Sequence, residues 1–147
     1  MPESKPIGPE KLSLTARLIA RMRKFGFDDA ESQRLFKEWS EQKELESKDA
    51  CDHITNNVER AIVYFASGYF EGAMQDLEDA AIQLFEEHHD ELSNDLRDIA
   101  DNIRLVSEAF EAADETGRKE IYKSRIEKGI AILREVITDI RKVYAKK

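Results

Sequence analysis

The sequence is poor in residues that interrupt or cross-link regular structure. Its 147 residues include one cysteine, three prolines and six glycines. Because Cys51 stands alone, the chain has no internal disulfide, and a reducing compartment is the simpler expectation. So few turn-forming residues argue against a sheet protein. The 41% hydrophobic and 37% charged content is instead typical of amphipathic helices joined by short loops.

Long apolar runs are also missing. The segment from Ala61 to Ala66 is far shorter than the ~20 residues that span a bilayer, which argues against a membrane-spanning protein. The first ten residues have neither the apolar core of a signal peptide nor the acid-poor composition of a transit peptide. We therefore expect one cytoplasmic domain, long enough to bury a core without metals or disulfides.

Acidic and basic residues are segregated along the chain. Residues 1–50 carry ten of each sign, residues 51–115 carry three basic and seventeen acidic residues, and residues 116–147 carry ten basic and four acidic ones. Such segregation favours elements that attract each other within one fold or across a dimer. For the basic residues 116–147, nucleic acid is the less favoured partner.

The chain begins with a proline-rich segment and a basic helix. Residues 1–10 contain all three prolines and little apolar surface, so they predict a disordered tail. Residues 11–48 predict an N-terminal helical arm, whose first helix is basic and amphipathic and ends at Gly26. Such a helix suits an acidic partner, a phosphate backbone or a membrane surface, or else it docks on the acidic bundle of its own chain or of a second copy. The predicted residues for binding another protein are Arg17, Leu18, Arg21, Met22 and Lys24.

The second helix of the arm has only a short apolar face. Asp28 and Glu31 predict a start that resembles a capping box. Leu35, Phe36 and Trp39 then cover barely two turns before the sequence becomes polar. We therefore expect Trp39 to be packed and the second half of this helix to be a solvated spacer.

Residues 49–147 predict an antiparallel bundle of four helices, so the predicted fold class is all-α. The first bundle helix starts near Asp49 and closes at Gly68, and the next follows at once to make an αα-hairpin. We place a joint at residues 86–91 and a turn at residues 114–117. The four apolar stripes are Ile54, Val58, Ala61, Ile62 and Phe65; Phe70, Ala73, Met74, Leu77, Ala80, Ala81 and Leu84; Leu92, Leu96, Ile99, Ile103, Val106 and Phe110; and Tyr122, Ile126, Ile130, Leu133, Ile137, Ile140 and Tyr144.

The predicted hairpin resembles two known helical families. It resembles one tetratricopeptide unit, but such repeats stabilise each other by stacking, so a single copy does not imply a solenoid. With the long helices after it, the hairpin also resembles the opening of the HEPN family of four-helix bundles, some of which are ribonucleases. Active HEPN members carry an arginine followed a few residues later by a histidine, and no arginine of this chain has a histidine there. The tetratricopeptide-like positions are Ala61, Tyr64, Gly68, Phe70, Ala73, Leu77 and Ala80.

Two groups of residues have the chemistry of metal ligands. Glu86 and His89 have the i, i+3 spacing of carboxylate-bridged di-iron bundles, but those sites require the motif twice. Cys51, His53 and the aspartate between them would point in different directions on a helix. They therefore cannot all bind one metal ion, and His53 cannot serve as the base for a Cys51 nucleophile. We therefore predict no metal, no cofactor and no catalytic residue, and we expect the histidines of this joint to be solvated.

The sequence thus favours a non-catalytic regulatory, adaptor or assembly protein that acts through helical protein–protein contacts. Charge segregation, the half-buried second helix and extra apolar width of the last helix at Ile132, Val136 and Val143 together predict a homodimer. The alternative function is a HEPN-like RNA-processing or toxin–antitoxin protein.

Overall fold

The computed structural model describes residues 14–146, which are almost entirely helical and contain no strand. The all-α class and the bundle of packed helices are therefore confirmed. The predicted tail, residues 1–10, and the first three residues of the predicted arm lie outside the described part, and the division at residue 48 stays a prediction. The elements are α1 (Leu14–Phe25), α2 (Ala30–Glu46), α3 (Ala50–Ala66), α4 (Phe70–Glu86), α5 (Asp90–Ala112), α6 (Glu115–Ile121), a π-helical turn (Tyr122–Ile126) and α7 (Glu127–Ala145).

The bundle is organised around α3, which packs against α1, α4 and α7. Helix α5 closes the bundle by packing along α4 and touching α7. Each of these bundle helices contributes a fully buried side chain to one continuous core, as Phe65, Leu77, Leu96 and Ile130 show. The predicted stripes form this core. Their partly buried members, packed against it, are Met74, Ile99, Phe110, Tyr122 and Tyr144.

Helix α1 packs against α3 of its own chain, and α2 packs against α1. Leu18 and Met22 of α1 have no exposed surface. Trp39 of α2 is 3% exposed, and its indole Nε1 donates a hydrogen bond to Thr15 Oγ1 at 2.8 Å. The expectation that Trp39 is packed is therefore confirmed, and the apolar face of α1 belongs to the core. Phe25, the last residue of α1, is 47% exposed.

Gly68 ends α3 as predicted. Its φ is +82°, its amide donates to the carbonyl of Phe65, and the next amide, that of Tyr69, donates to Tyr64 at 2.8 Å. This pair of bonds is a Schellman motif, whose central residue must be left-handed. The chain then turns directly into α4, so the two helices are antiparallel neighbours.

His88 makes the same motif between α4 and α5. Its φ is +68°, its amide donates to Phe85, and the amide of His89 donates to Leu84 at 2.8 Å. The predicted joint is therefore real, and it closes without a glycine. Histidine is one of the few residues other than glycine that adopts this conformation at modest cost.

Two boundaries and the surroundings of one helix differ from the prediction. The N-cap of α2 is Asp29 and not Asp28, since the Asp29 carboxylate accepts from the amide of Ser32. Residues 114–117, predicted as a turn, are the N-cap and first turn of α6, where Asp114 accepts from the amide of residue 117. The second half of α2 is not wholly solvated, because Lys43 pairs with a carboxylate of α3 at 3.0 Å.

The last predicted helix contains a π-helical turn that the apolar pattern did not predict. The amide of Glu127 bonds to the carbonyl of Tyr122, five residues back. One extra residue is thereby inserted into the helical ladder. Such turns often occur at functional sites.

Candidate functional site

A groove of about 380 Å³ lies where the C-terminal ends of α1 and α5 meet α6 and the π-helical turn. We call it the basic groove. Its lining combines aromatic rings with four basic and two acidic side chains, so its charge is positive by two. The residues that line it are Arg23, Phe110, Glu115, Arg118, Lys119, Tyr122, Lys123 and Glu127.

The floor of the basic groove is aromatic and fixed in place. The ring of Phe110 packs edge-on against Phe70, with 5.3 Å between ring centroids. The hydroxyl of Tyr122 donates to the carbonyl of Ala66, the last residue of α3, at 2.6 Å. Burial raises the pKa of Tyr122 to about 12, so this hydroxyl remains a donor at physiological pH. The floor therefore presents ring surface whose polar atom is already satisfied.

Two of the four cations on the rim are held by the chain itself. Arg23 of α1 forms an ion pair with Glu127 of α7. Arg118 donates through Nε to the carbonyl of Phe110 at 2.9 Å, and its guanidinium lies 4.8 Å from the centroid of that ring. These contacts tie α1 to α7 and α6 to α5, so they keep the walls of the groove together.

The other two cations are available to a ligand. Lys119 and Lys123 are exposed, and within residues 14–146 neither ammonium group makes a hydrogen bond or an ion pair. They lie one turn apart, where α6 passes into the π-helical turn. An apolar floor with unpaired ammonium groups at its edge suits an acidic segment that carries an apolar side chain.

The structure separates the five residues predicted to bind a partner. Leu18 and Met22 are fully buried in the chain's own core, so neither is accessible at the surface. Arg21 is bound to Asp29 by two hydrogen bonds, of 2.8 and 3.0 Å, and holds the pKa of that carboxyl below its usual value. Arg17 and Lys24 are exposed. Binding of a partner by these residues stays a prediction.

None of the five lines the basic groove, whereas Arg23 of the same helix does. One feature of the sequence does indicate the groove, namely the excess of basic residues after residue 115. No sequence pattern indicates the aromatic floor. Phe110 and Tyr122 lie far apart in the chain, and each also fits the pattern of a core residue.

Cys51 and the neighbouring His53 are not hydrogen-bonded to each other through their side chains. The imidazole of His53 lies 3.0 Å from the hydroxyl of Ser47, to which it is hydrogen-bonded. Burial, followed by the carboxylates of Asp49 and Asp52, raises the pKa of the Cys51 thiol. A raised pKa lowers the fraction of reactive thiolate. Within residues 14–146, no group of three or more His, Cys, Asp and Glu side chains is arranged to hold a metal ion.

The two histidines of the α4–α5 joint have different surroundings. His88 is exposed, as predicted. The prediction is wrong for His89, whose ring packs edge-on against Tyr144 with 4.9 Å between centroids. The hydroxyl of Tyr144 in turn donates to Glu87 at 2.9 Å. These contacts fasten the end of α7 to the joint, which is a structural role.

Comparison of the chain with protein families, with curated proteins and with solved structures finds no match. In the described residues, no helix is both long and apolar enough to cross a membrane. The geometry and charge of the basic groove therefore carry the functional inference.

Proposed function

We propose that this chain is a non-catalytic adaptor or assembly protein of the cytoplasm, and that it binds protein through the basic groove. The observation that carries the proposal is the aromatic floor of Phe110 and Tyr122 beside the unpaired ammonium groups of Lys119 and Lys123. Protein interfaces are enriched in aromatic and arginine side chains, such as Phe110, Tyr122 and Arg118, and have a polar rim.

The rim charges decide which proteins bind. Lys119 and Lys123 attract acidic surfaces and repel basic ones, so they contribute to specificity and to the rate of association. The floor contributes affinity when an apolar side chain displaces water from the rings. The expected partner is therefore an acidic helical surface or segment with at least one exposed apolar side chain.

The experiment is affinity capture from the source organism, followed by mass spectrometry, with three matched variants. Lys119→Glu with Lys123→Glu reverses the groove, Arg17→Glu with Lys24→Glu reverses the exposed part of α1, and a control reverses Lys142 and Lys146 at the end of α7. All six residues are exposed, and each variant changes the net charge equally. We expect only the groove variant to lose the captured proteins, further copies of the chain included.

Two results would contradict this proposal. Unchanged capture by the groove variant would show that the groove is not the binding surface. Loss with Arg17→Glu and Lys24→Glu alone would move the surface to the exposed side of α1. Arg21 is left out because its reversal would break the pair with Asp29 and would therefore test folding as well as binding.

The cationic rim also supports the HEPN-like RNA-processing alternative. Four basic side chains favour phosphate, but Glu115 and Glu127 in the same groove repel it. RNA cleavage, or RNA binding that weakens steeply with salt, would favour this alternative. No cleavage and no binding at low salt would remove it.

A further inference from the structure

The exposed face of α4 carries apolar side chains between carboxylates. Ile82 is 49% exposed and Phe85 is 57% exposed, although both are large and apolar. They alternate with acidic residues at spacings of three and four, so all lie on one side of the helix. We call this face the acidic stripe. It consists of Glu78, Asp79, Ile82, Phe85 and Glu86.

The hairpin that carries the acidic stripe has a large uncompensated negative charge. Helices α4 and α5 expose eleven carboxylates and only two arginines, Arg97 and Arg104. Partial burial, followed by the carboxylates of Glu91 and Asp98, raises the pKa of Asp95. A cationic surface placed against this hairpin would relieve such repulsion.

We infer that the occupant of the basic groove is the acidic stripe of a second copy of this chain. The inference rests on the proposed function and names the partner. Phe85 of one copy enters the groove beside Phe110 and Tyr122 of the other, and carboxylates of the stripe pair with Lys119 and Lys123. If the dimer is two-fold symmetric, the contact forms twice and the assembly closes.

The two surfaces are compatible in size and opposite in charge. A dry cavity of about 150 Å³ holds a benzene molecule, so a groove of about 380 Å³ has room for a phenyl ring and a neighbouring aliphatic side chain. An apolar helix face laid into an apolar groove is a common mode of recognition. The stripe offers carboxylates where the groove has unpaired ammonium groups.

A second copy is the occupant with the strongest support among the described residues. It carries the required acidic helical face with exposed apolar side chains, and it is present at the same concentration as the groove. The contact also places carboxylates of the acidic hairpin against the positively charged groove. Such a contact weakens as salt screens the paired charges.

The experiment uses two charge-reversed chains. The first, with Lys119→Glu and Lys123→Glu, has an acidic groove and an acidic stripe. The second, with Glu78→Lys and Glu86→Lys, has a basic groove and a basic stripe. Each alone brings like charges together, whereas an equimolar mixture again pairs every groove with a stripe of opposite charge. Masses are measured by sedimentation velocity at low salt over a range of concentration.

We expect the unaltered chain to reach twice its mass of 17.0 kDa as concentration rises. Each reversed chain alone should have a dissociation constant raised about tenfold or more, because close charge pairs across an interface are strongly coupled. The mixture should recover the dimer. Phe85→Ala should weaken it without reversing any charge, and Lys142→Glu with Lys146→Glu should leave it unchanged.

Three results would overturn the inference. The first is a chain that stays monomeric at every concentration, and the second is a dimer that neither reversed chain weakens. The third is an equimolar mixture that dimerises no better than its components. None of these decides the proposed function, which fails only if capture of partner proteins does not depend on the groove.

Discussion

Two arginines of α1, only two residues apart, contact different parts of the chain. Arg21 is bound to Asp29 and so fixes the connection between α1 and α2. Arg23 reaches across to Glu127 and joins the wall of the basic groove. The carboxyl of Asp29 has a lowered pKa, so this contact stabilises the fold above the usual carboxyl pKa of 3.8 and is lost as the pH falls below it.

His88 is the one non-glycine residue with positive φ among residues 14–146. It is exposed, and its backbone makes the same turn as Gly68. Replacing His88 by glycine removes the steric cost of a side chain in this conformation. We expect His88→Gly to stabilise the protein by about 0.5 to 1 kcal/mol, measured by urea denaturation.

Gly68→Ala is the control for that measurement, because it adds a side chain at the equivalent turn instead of removing one. An added methyl group at residue 68 meets no atom within 4 Å, so any loss of stability reports backbone strain alone. The variant should lose about 1 kcal/mol. A destabilised His88→Gly variant would show that the histidine side chain makes a contact worth more than its strain.

At the scale of helices, the apolar period predicted most of the fold. Helices α3, α4 and α5 each bury one continuous stripe, so their positions follow from spacing alone. The left-handed turn at His88 lacks glycine, yet six polar residues mark the joint. The π-helical turn was missed, because Tyr122 and Ile126 are four residues apart and fit a regular α-helix equally well.

The sequence pattern of a single helix could not predict the basic groove. Its floor and its walls come from α1, α5, α6 and α7, and no local pattern shows that these four meet. Predicting binding from the basic face of α1 selected Leu18 and Met22, which are core residues. Amphipathic periodicity identifies the buried side of a helix, but not whether its own chain or a partner buries it.

The crossing of α3 and α7 depends on a glycine. A Cβ atom at Gly129 would lie 2.7 Å from Cε2 of Phe65, whose ring is 1% exposed. Alanine favours a helix by about 1 kcal/mol, but overpacking a fixed ring costs roughly 1 to 3 kcal/mol. We therefore expect Gly129→Ala to lower the free energy of unfolding by about 1 kcal/mol, measured by chemical denaturation.

A second substitution separates the clash from other effects. In a background of Phe65→Leu the ring atoms near residue 129 are gone, so adding Gly129→Ala should cost less than it does alone. The difference is the coupling energy of a double-mutant cycle. Equal costs in both backgrounds would contradict the close approach of α3 and α7 at this point.

At the scale of the whole molecule, opposite charges are only partly neutralised within one chain. Glu59 of α3 pairs with Lys43 at 3.0 Å and lies 3.7 Å from Arg141 of α7. The expected attraction between acidic and basic segments is therefore present inside the fold. Within residues 14–146, the ion pairs of the fold do not involve Lys119 and Lys123, which are exposed on one surface, or the acidic stripe, which is exposed on another.

The central claim, that the basic groove receives the acidic stripe of a second copy, is tested most directly by zero-length cross-linking. A carbodiimide joins carboxylates to amines that are already in contact, and mixing light and ¹⁵N-labelled chains identifies links between copies. We predict mixed-isotope peptides that join Glu78, Asp79 or Glu86 to Lys119 or Lys123. Mixed-isotope links confined to other surfaces, or none at concentrations where the dimer mass is measured, would contradict the claim.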